Sequence, residues 1–263
     1  MTQLRIFSYL PNPRVAKATI AARLCGVDLE FRGAPVSDLV NWLWDFEARP
    51  ISEDEKAGLA HLVVKSKVGF TTPLYKTPAF LEAHPFGTVP AAFGPDGQTG
   101  IFESNSILRA VARIARQPHA LYGNDPYVAS RIDSFLDLGH DFGRDVQAYV
   151  LGLRDGPFDT GLYERTRRGA TSYFAGIERS LARRRYIAGD EMTLADICFV
   201  CETALLHNER NFQSALTAMA LEPLMTLLGP SNFPRSNELF DELRRHPAFA
   251  PDLETYLVAP PLR

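Results

Sequence analysis

Residues 86–113 read FGTVPAAFGPDGQTGIFESNSILRAVAR. Two short apolar runs, one after Val89-Pro90 and one ending at Phe102, flank the turn-forming GPDGQTG, which is the pattern of a β-hairpin. Beyond Glu103-Ser104 the apolar spacing changes to that of a helix. A proline inside a strand pattern marks an edge or a bend, and X-Pro is the bond that readily becomes cis. A cis bond there turns the Val89 amide and carbonyl toward an open edge, where an extended peptide can pair. A trans proline on an edge strand fits the same pattern. Ser104 has two readings as well. It caps its own helix, or its hydroxyl and amide use the helix start to hold a carboxylate while Glu103 holds an ammonium. The second reading, with the open edge, describes a site for a small peptide bearing a free amino-acid end.

Upstream, QLRIFSYL is a short strand, and PNPRVAKATIAARLCGVDLEF continues as loop, helix, stop and second strand. Pro13 suits the first helical turn and Gly26 suits the stop, giving a βαβ unit with parallel strands. Residues 37–70, SDLVNWLWDFEARPISEDEKAGLAHLVVKSKVGF, contain both tryptophans and are too apolar for a disordered linker. They read as a helical insertion: Ser37 precedes the apolar set Leu39, Val40, Leu43 and Trp44, predicting one short helix, and SEDE at 52–55 is an acidic helix start. TPAFLEAHP predicts a short helix capped by Thr77. Residues 1–117 thus form a βαβ–insertion–α–ββα domain with helices on a mixed sheet.

Residues 118–263 hold helical patterns only and form an all-α domain. In GDEMTLADICFV, Thr193 and Asp196 have the spacing of a capping box, with Met192 stapled onto Ile197; Asp196 is therefore structural. Cys198 and Cys201 form a CxxC inside this apolar helix. Redox pairs sit instead at a helix N-terminus, where the thiol pKa is lowered, so these read as inert core thiols.

The chain has 263 residues, 46% hydrophobic and 22% charged, with net charge −3. This is an ordinary globular composition, sufficient for one large domain or two small ones. It gives no general attraction to nucleic acid, no run of membrane-span length and, at its start, no signal peptide. Three cysteines in a chain this large indicate a reduced, cytoplasmic setting.

Taken together, FGTVP and IFESNSILRAVAR in a mixed α/β domain, followed by YIAGDEMTLADICFV in a helical one, resemble the cytosolic glutathione transferases. The resemblance spans nearly the whole chain except residues 37–70. NPRVAKATIAARLCGV, TPAFLEAHPFGTVP and TLADICFVCE look most like the transferase-like domain of elongation factor 1B-gamma and phi- or theta-like bacterial enzymes. It implies a thioredoxin-like domain with a cis proline, then a helical bundle, with glutathione as co-substrate and no metal. Val89 would pair with the cysteinyl unit, with Pro90 cis, and Glu103 and Ser104 would hold the γ-glutamyl head. Lys76 matches the lysine of a His-Lys pair that phi-like enzymes place on the glycine carboxylate, with Tyr75 at the histidine position. Thr88 stands where Lys or Gln is common.

The thiolate donor of the family is a Ser, Tyr or Cys near the first strand–helix junction. Asn12 occupies the Ser position, with Tyr9 and then Ser8 as the next candidates and Arg14 adding positive potential. Asn12 also reads simply as a helix cap. No Cys lies in this loop, which argues against thiol–disulfide chemistry. The implied function is attack of glutathione thiolate on a small apolar electrophile bound between the domains, in a homodimer. The alternative is a non-catalytic binding module like that of the elongation factor.

Overall fold

The computed structural model describes residues 3–65, 70, 72–116, 118–155 and 158–258. Its contacts divide the chain into two compact units, residues 1–117 and 118–263.

The first unit begins as its residue pattern requires. Strand β1 (Leu4–Tyr9), helix α1 (Pro13–Cys25) and strand β2 (Leu29–Ala34) form a parallel βαβ unit, in register from Leu4 opposite Leu29 to Tyr9 opposite Ala34. Pro13 occupies the first turn of α1, and Gly26 ends it in the left-handed region at φ 68°, donating its N–H to the Ala22 carbonyl.

Residues 37–70 differ from the sequence expectation. Leu39–Asn41 form one 3₁₀ turn, and the chain then extends into β3 (Trp42–Trp44) instead of continuing as a helix. Strand β4 (Arg49–Pro50), helix α2 (Glu53–Gly58), strand β5 (Val63–Val64) and strand β6 (Leu74–Lys76) follow. The four strands make a second sheet of order β4-β3-β6-β5, in which β3 and β6 run parallel. The insertion is therefore a small sheet carrying one short helix; its residues 66–69 lie outside the described set. Trp-Leu-Trp has the aromatic content that favours a half-buried pleated surface, and its partner β6 lies some thirty residues on, beyond the reach of a local pattern. The acidic helix start does form: Ser52 and Glu55 make a reciprocal capping box on α2.

Helix α3 (Pro78–Ala83) is capped by Thr77, whose hydroxyl accepts the Phe80 N–H. Strands β7 (Ala91–Phe93) and β8 (Gly100–Phe102) form the expected hairpin, and β7 also pairs antiparallel with β1, giving the mixed sheet β2-β1-β7-β8. Helix α4 (Ser104–Ile114) then packs beside α1. An aromatic core joins the two sheets: Phe7 and Trp44 meet edge to face at 5.2 Å, with Phe80 and Phe93 in the same cluster. The inserted sheet is thus part of the first unit's core.

The second unit is helical: α5 (Pro126–Asp155), α6 (Thr160–Leu181), α7 (Leu194–Leu206), α8 (Gln213–Ala218), α9 (Leu224–Leu227), α10 (Pro234–Arg244) and α11 (Ala250–Val258). The pattern SALTAMALEPLMTLL divides into α8 and α9 because Ala220 is left-handed at φ 54° and Pro223 precedes α9. Helix α7 is buried all round and starts on the Thr193–Asp196 capping box. Asp196 also accepts the Ile187 N–H at 2.9 Å, tying the preceding loop to the helix. Burial pushes the Asp196 carboxyl up to about 6, although the donated hydrogen bonds pull the other way. Cys198 and Cys201 are buried within α7 and form no disulfide.

Candidate functional site

Four elements of the first unit end at one place. The β1–β7 register sets Phe7 opposite Ala91; continued outward, it places Ser8 beside Pro90 and Tyr9 beside Val89. The β7–β8 register sets Ala91 opposite Phe102 and, continued likewise, places Pro90 beside Glu103 at the head of α4. The end of β1, the start of α1, the segment before β7 and the start of α4 therefore converge. This lies at the carboxyl end of the parallel strands, where open α/β sheets bind ligands.

The Val89-Pro90 bond is cis. The main-chain N–H and C=O of Val89 have no partner among the described residues. The segment offers one donor and one acceptor to an extended peptide, which is the pairing expected of strand addition. The bulk of Pro90 is buried, while Val89 is half-buried and Thr88 exposed.

Glu103 has φ 65° and ψ 123° and stands at the N-cap position of α4 without capping it through its side chain. A left-handed Glu costs on the order of 1–3 kcal/mol, and such strain concentrates at functional sites. Ser104 is the first residue inside the helix, so it does not serve as the N-cap. Its hydroxyl accepts from Lys17 Nζ at 3.1 Å, and the same ammonium donates to Asn105 Oδ1 at 2.7 Å. This leaves the Ser104 hydroxyl hydrogen to donate elsewhere. A buried ammonium and a helix N-terminus together make the place attractive to a carboxylate. Lys17 and Asn105 were not singled out in the sequence. A lysine surrounded by small apolar residues in PRVAKATIAARL, on a helix with no polar face, is the signal that identifies Lys17.

Lys76 is buried in the inserted sheet and is not a surface lysine. Its Nζ donates to the Gly87 carbonyl at 2.7 Å and lies 4.8 Å from the Trp44 ring, and burial lowers its pKa. Gly87 is required there twice over: its φ is 58°, and an added Cβ would lie 3.0 Å from Leu81 and 3.3 Å from Lys76 Nζ. The second sheet thus fixes the approach to Thr88 and Val89 through one lysine. Tyr75 precedes it on β6 and is half-buried. Thr88 Oγ1 is 3.4 Å from His84 Nε2; His84 is buried against the Phe102 ring at 4.9 Å, and burial lowers its pKa.

At the start of α1, Asn12 has the geometry of a helix cap. Its Oδ1 accepts the Arg14 N–H at 2.9 Å and its Nδ2 donates to Ser8 Oγ at 3.2 Å. The second Nδ2 hydrogen has no acceptor among the described residues. Ser8 and Asn12 are both buried. Because successive strand side chains alternate, Tyr9 lies on the other face, half-buried against the aromatic core. Arg14 is half-buried in the first turn of α1. Among the described residues no group of three or more His, Cys, Asp or Glu side chains could hold a metal ion, and no helix is long and apolar enough to cross a membrane.

Two family models match this chain: glutathione S-transferase, N-terminal domain, over residues 13–114, and glutathione S-transferase, C-terminal domain, over residues 145–220. A maize (Zea mays) protein named glutathione S-transferase 3 is 34% identical over 139 residues, 49% of this chain and 60% of the relative. Elongation factor 1-gamma 3 of Oryza sativa subsp. japonica is 32% identical over 133 residues, 48% of this chain but 30% of that protein. These matches thus span less than two thirds of either relative. Among solved structures, a glutathione transferase of Populus trichocarpa superposes with a TM-score of 0.64 at 20% identity, covering 97% of this chain and all of that one. A glutathione S-transferase of Methylobacterium radiotolerans, in complex with glutathione sulfonate, has a TM-score of 0.62 at 21% identity over 96% of this chain and 95% of that one. With a thioredoxin-like first unit, a helical second unit and a family model matching each, the chain belongs to the glutathione S-transferase superfamily.

Proposed function

We propose that the chain is a glutathione transferase in which the first unit holds glutathione along the Val89 edge. The observation that carries this reading is the unpartnered Val89 main chain next to the strained Glu103 and the Ser104 helix start. In the bound complex the Val89 N–H and C=O pair with the cysteinyl unit. Glu103 takes the α-ammonium, and the Ser104 hydroxyl and amide take the α-carboxylate of the γ-glutamyl head. Lys76, with Thr88 near it, provides positive potential for the glycine carboxylate.

A thiol with an ordinary pKa of ~8.5 is mostly protonated at neutral pH, so the protein must favour the thiolate. The spare Nδ2 hydrogen of Asn12 is the first candidate donor, with the hydroxyls of Tyr9 and Ser8 following, and Arg14 together with the N-terminus of α1 contributes positive potential. The thiolate then attacks an apolar electrophile, forming a carbon–sulfur bond as the leaving group or π-electron pair departs. Two copies form the working molecule, in the cytoplasm.

A second reading, to which the similarity to elongation factor 1-gamma proteins points, is a non-catalytic module. It is favoured by Asn12, which stands where the family has a hydroxyl or thiol and which is engaged as a cap. One experiment separates the readings. The folded chain should be retained on immobilised glutathione, and the thiol of bound glutathione should titrate below its free pKa. Retention with an unshifted thiol points to the module; a folded chain that is not retained removes both the site and the enzyme.

A further inference from the structure

His84 closes helix α3, and no step of the proposed reaction uses it. Its main chain is committed on both sides. The N–H donates to the Phe80 carbonyl at 2.8 Å, and the carbonyl accepts the Gly87 N–H at 2.9 Å across the turn that leads to Thr88. The side chain is 1% exposed. Its imidazole lies flat on the Phe102 ring, with centroids 4.9 Å apart and planes 14° from parallel, and it tilts against Phe80 at 5.8 Å. Nε2 is 3.4 Å from Thr88 Oγ1, while Nδ1 is buried and has no hydrogen-bond partner among the described residues.

The ring therefore touches the immediate neighbours of both recognition groups. Thr88 precedes Val89, whose main chain forms the open edge, and Phe102 precedes Glu103. Phe86 also packs on Phe102, at 5.3 Å, but it is 71% exposed, so the buried support of Phe102 on this side comes from His84. Glu103 is left-handed, and a strained residue persists only where its surroundings fix it. The two contacts ask for different chemistry in one side chain: a flat ring for Phe102 and a polar atom for Thr88. Phenylalanine lacks the nitrogen and asparagine lacks the ring.

We propose that His84 is a positioning residue of the glutathione site, setting the spacing between the Val89 edge and the Glu103 carboxylate so that one peptide meets both. This role rests on the reading of that edge as a glutathione site and adds a condition to it: the ring must be neutral. A neutral imidazole carries one hydrogen, which on Nε2 meets Thr88 Oγ1. A second hydrogen, on Nδ1, is a buried N–H without an acceptor, a cost that displaces the ring. The charged groups that act on the ring are Glu103, at the head of α4, and Lys76, on β6. An imidazolium draws the Glu103 carboxylate away from the ligand's ammonium and repels Lys76. Burial holds the His84 pKa below the ordinary 6.5, so the ring is neutral at pH 7 and the site weakens as pH falls through its ionisation.

Calorimetric titration of the full chain with glutathione, from about pH 7.5 down to about pH 5, tests the role. His84→Phe keeps the stack on Phe102 and removes the nitrogens, with folding checked by circular dichroism. Near pH 7.5 it should bind glutathione about 5-fold more weakly than the native chain, as for one lost hydrogen bond. Thr88→Val should lose a similar factor, and the double variant little more than either, because both break one contact. Toward pH 5 the native affinity should fall about 3-fold or more, and that of His84→Phe should not follow. Thr88→Val, at an exposed position, decides together with the native pH profile where His84→Phe does not fold. Native affinity in either single variant, additive losses in the double variant, a native affinity that does not fall toward pH 5, or a parallel fall in His84→Phe overturns the positioning role and leaves the site. A folded native chain that binds no glutathione at any of these pH values overturns the site itself.

Discussion

Residues 86–113 and residues 37–70 belong to one unit and one aromatic core, yet they are specified in different ways. The first stretch is held by neighbours in sequence: a Gly/Pro/Asp turn joins β7 to β8, and Glu103-Ser104 begins α4 directly after the second strand. The second is held by distant groups. Trp44 is fixed by Phe7, Phe80 and the main chain of β6, and Lys76 by the Gly87 carbonyl. Local chemistry can be read from a window of residues, whereas a strand whose partner lies thirty residues away cannot.

The contrast predicts where each region is fragile, beginning with the largest effect. Trp44→Ala removes a buried indole and its hydrogen bond to the Leu39 carbonyl. It should cost about 3–5 kcal/mol in urea unfolding of the full chain; a loss under about 1 kcal/mol would make the inserted sheet an appendage and erase the contrast. If Ser104 holds the γ-glutamyl carboxylate as proposed, Ser104→Ala removes one charge-assisted hydrogen bond, and glutathione affinity should fall about 10- to 30-fold in calorimetry. Unchanged affinity would detach the helix start from the ligand.

Asn12→Ala sharpens the comparison at a third place, where a cap and a candidate donor are the same side chain. Loss of the cap should cost about 1 kcal/mol. If Asn12 also donates to the sulfur, the pKa of bound glutathione rises in the variant; a cost in stability with no change in that pKa transfers the donor role to Tyr9. The smallest effect concerns α2. The Arg49 guanidinium and the Ser52 N–H hold the Glu55 carboxyl down to about 2. Because the folded pKa lies below the ordinary 4.5, the capping contribution is complete above that pH and fades as pH falls toward 2. NMR titration should show the Glu55 carboxyl ionising well below ordinary glutamates, and Arg49→Ala, which removes the guanidinium, should raise its pKa.

Much of the fold was legible because its signals are local. Pro13 and Gly26 bound α1, Thr77 caps α3 and Thr193 with Asp196 begins α7, each through a hydrogen bond spanning a few residues. The inserted sheet was not legible for the opposite reason: the spacing of Leu39, Val40, Leu43 and Trp44 fits a helix face, and only the distant β6 makes it a turn and a strand. At the site, Val89-Pro90 and Glu103-Ser104 were visible as motifs. The burial of Lys76 was not, because it depends on Trp44 and Gly87 approaching from separate segments. Nor was the bond from Lys17 to Ser104, which joins two helices 87 positions apart in sequence. The double engagement of Asn12, with Arg14 on one side and Ser8 on the other, likewise depends on how the loop folds the end of β1 back against the start of α1.

The central claim is that the first unit holds a γ-glutamyl peptide along the Val89 edge with its head at Glu103 and Ser104. Calorimetric titration of the folded chain with glutathione and with cysteinylglycine, which lacks the γ-glutamyl head, tests it most directly. The account predicts that glutathione binds and that cysteinylglycine binds at least about 10-fold more weakly, the loss expected when a charged head group and its hydrogen bonds are removed. Equal affinity for the two peptides, or no binding of glutathione by the folded chain, would contradict it.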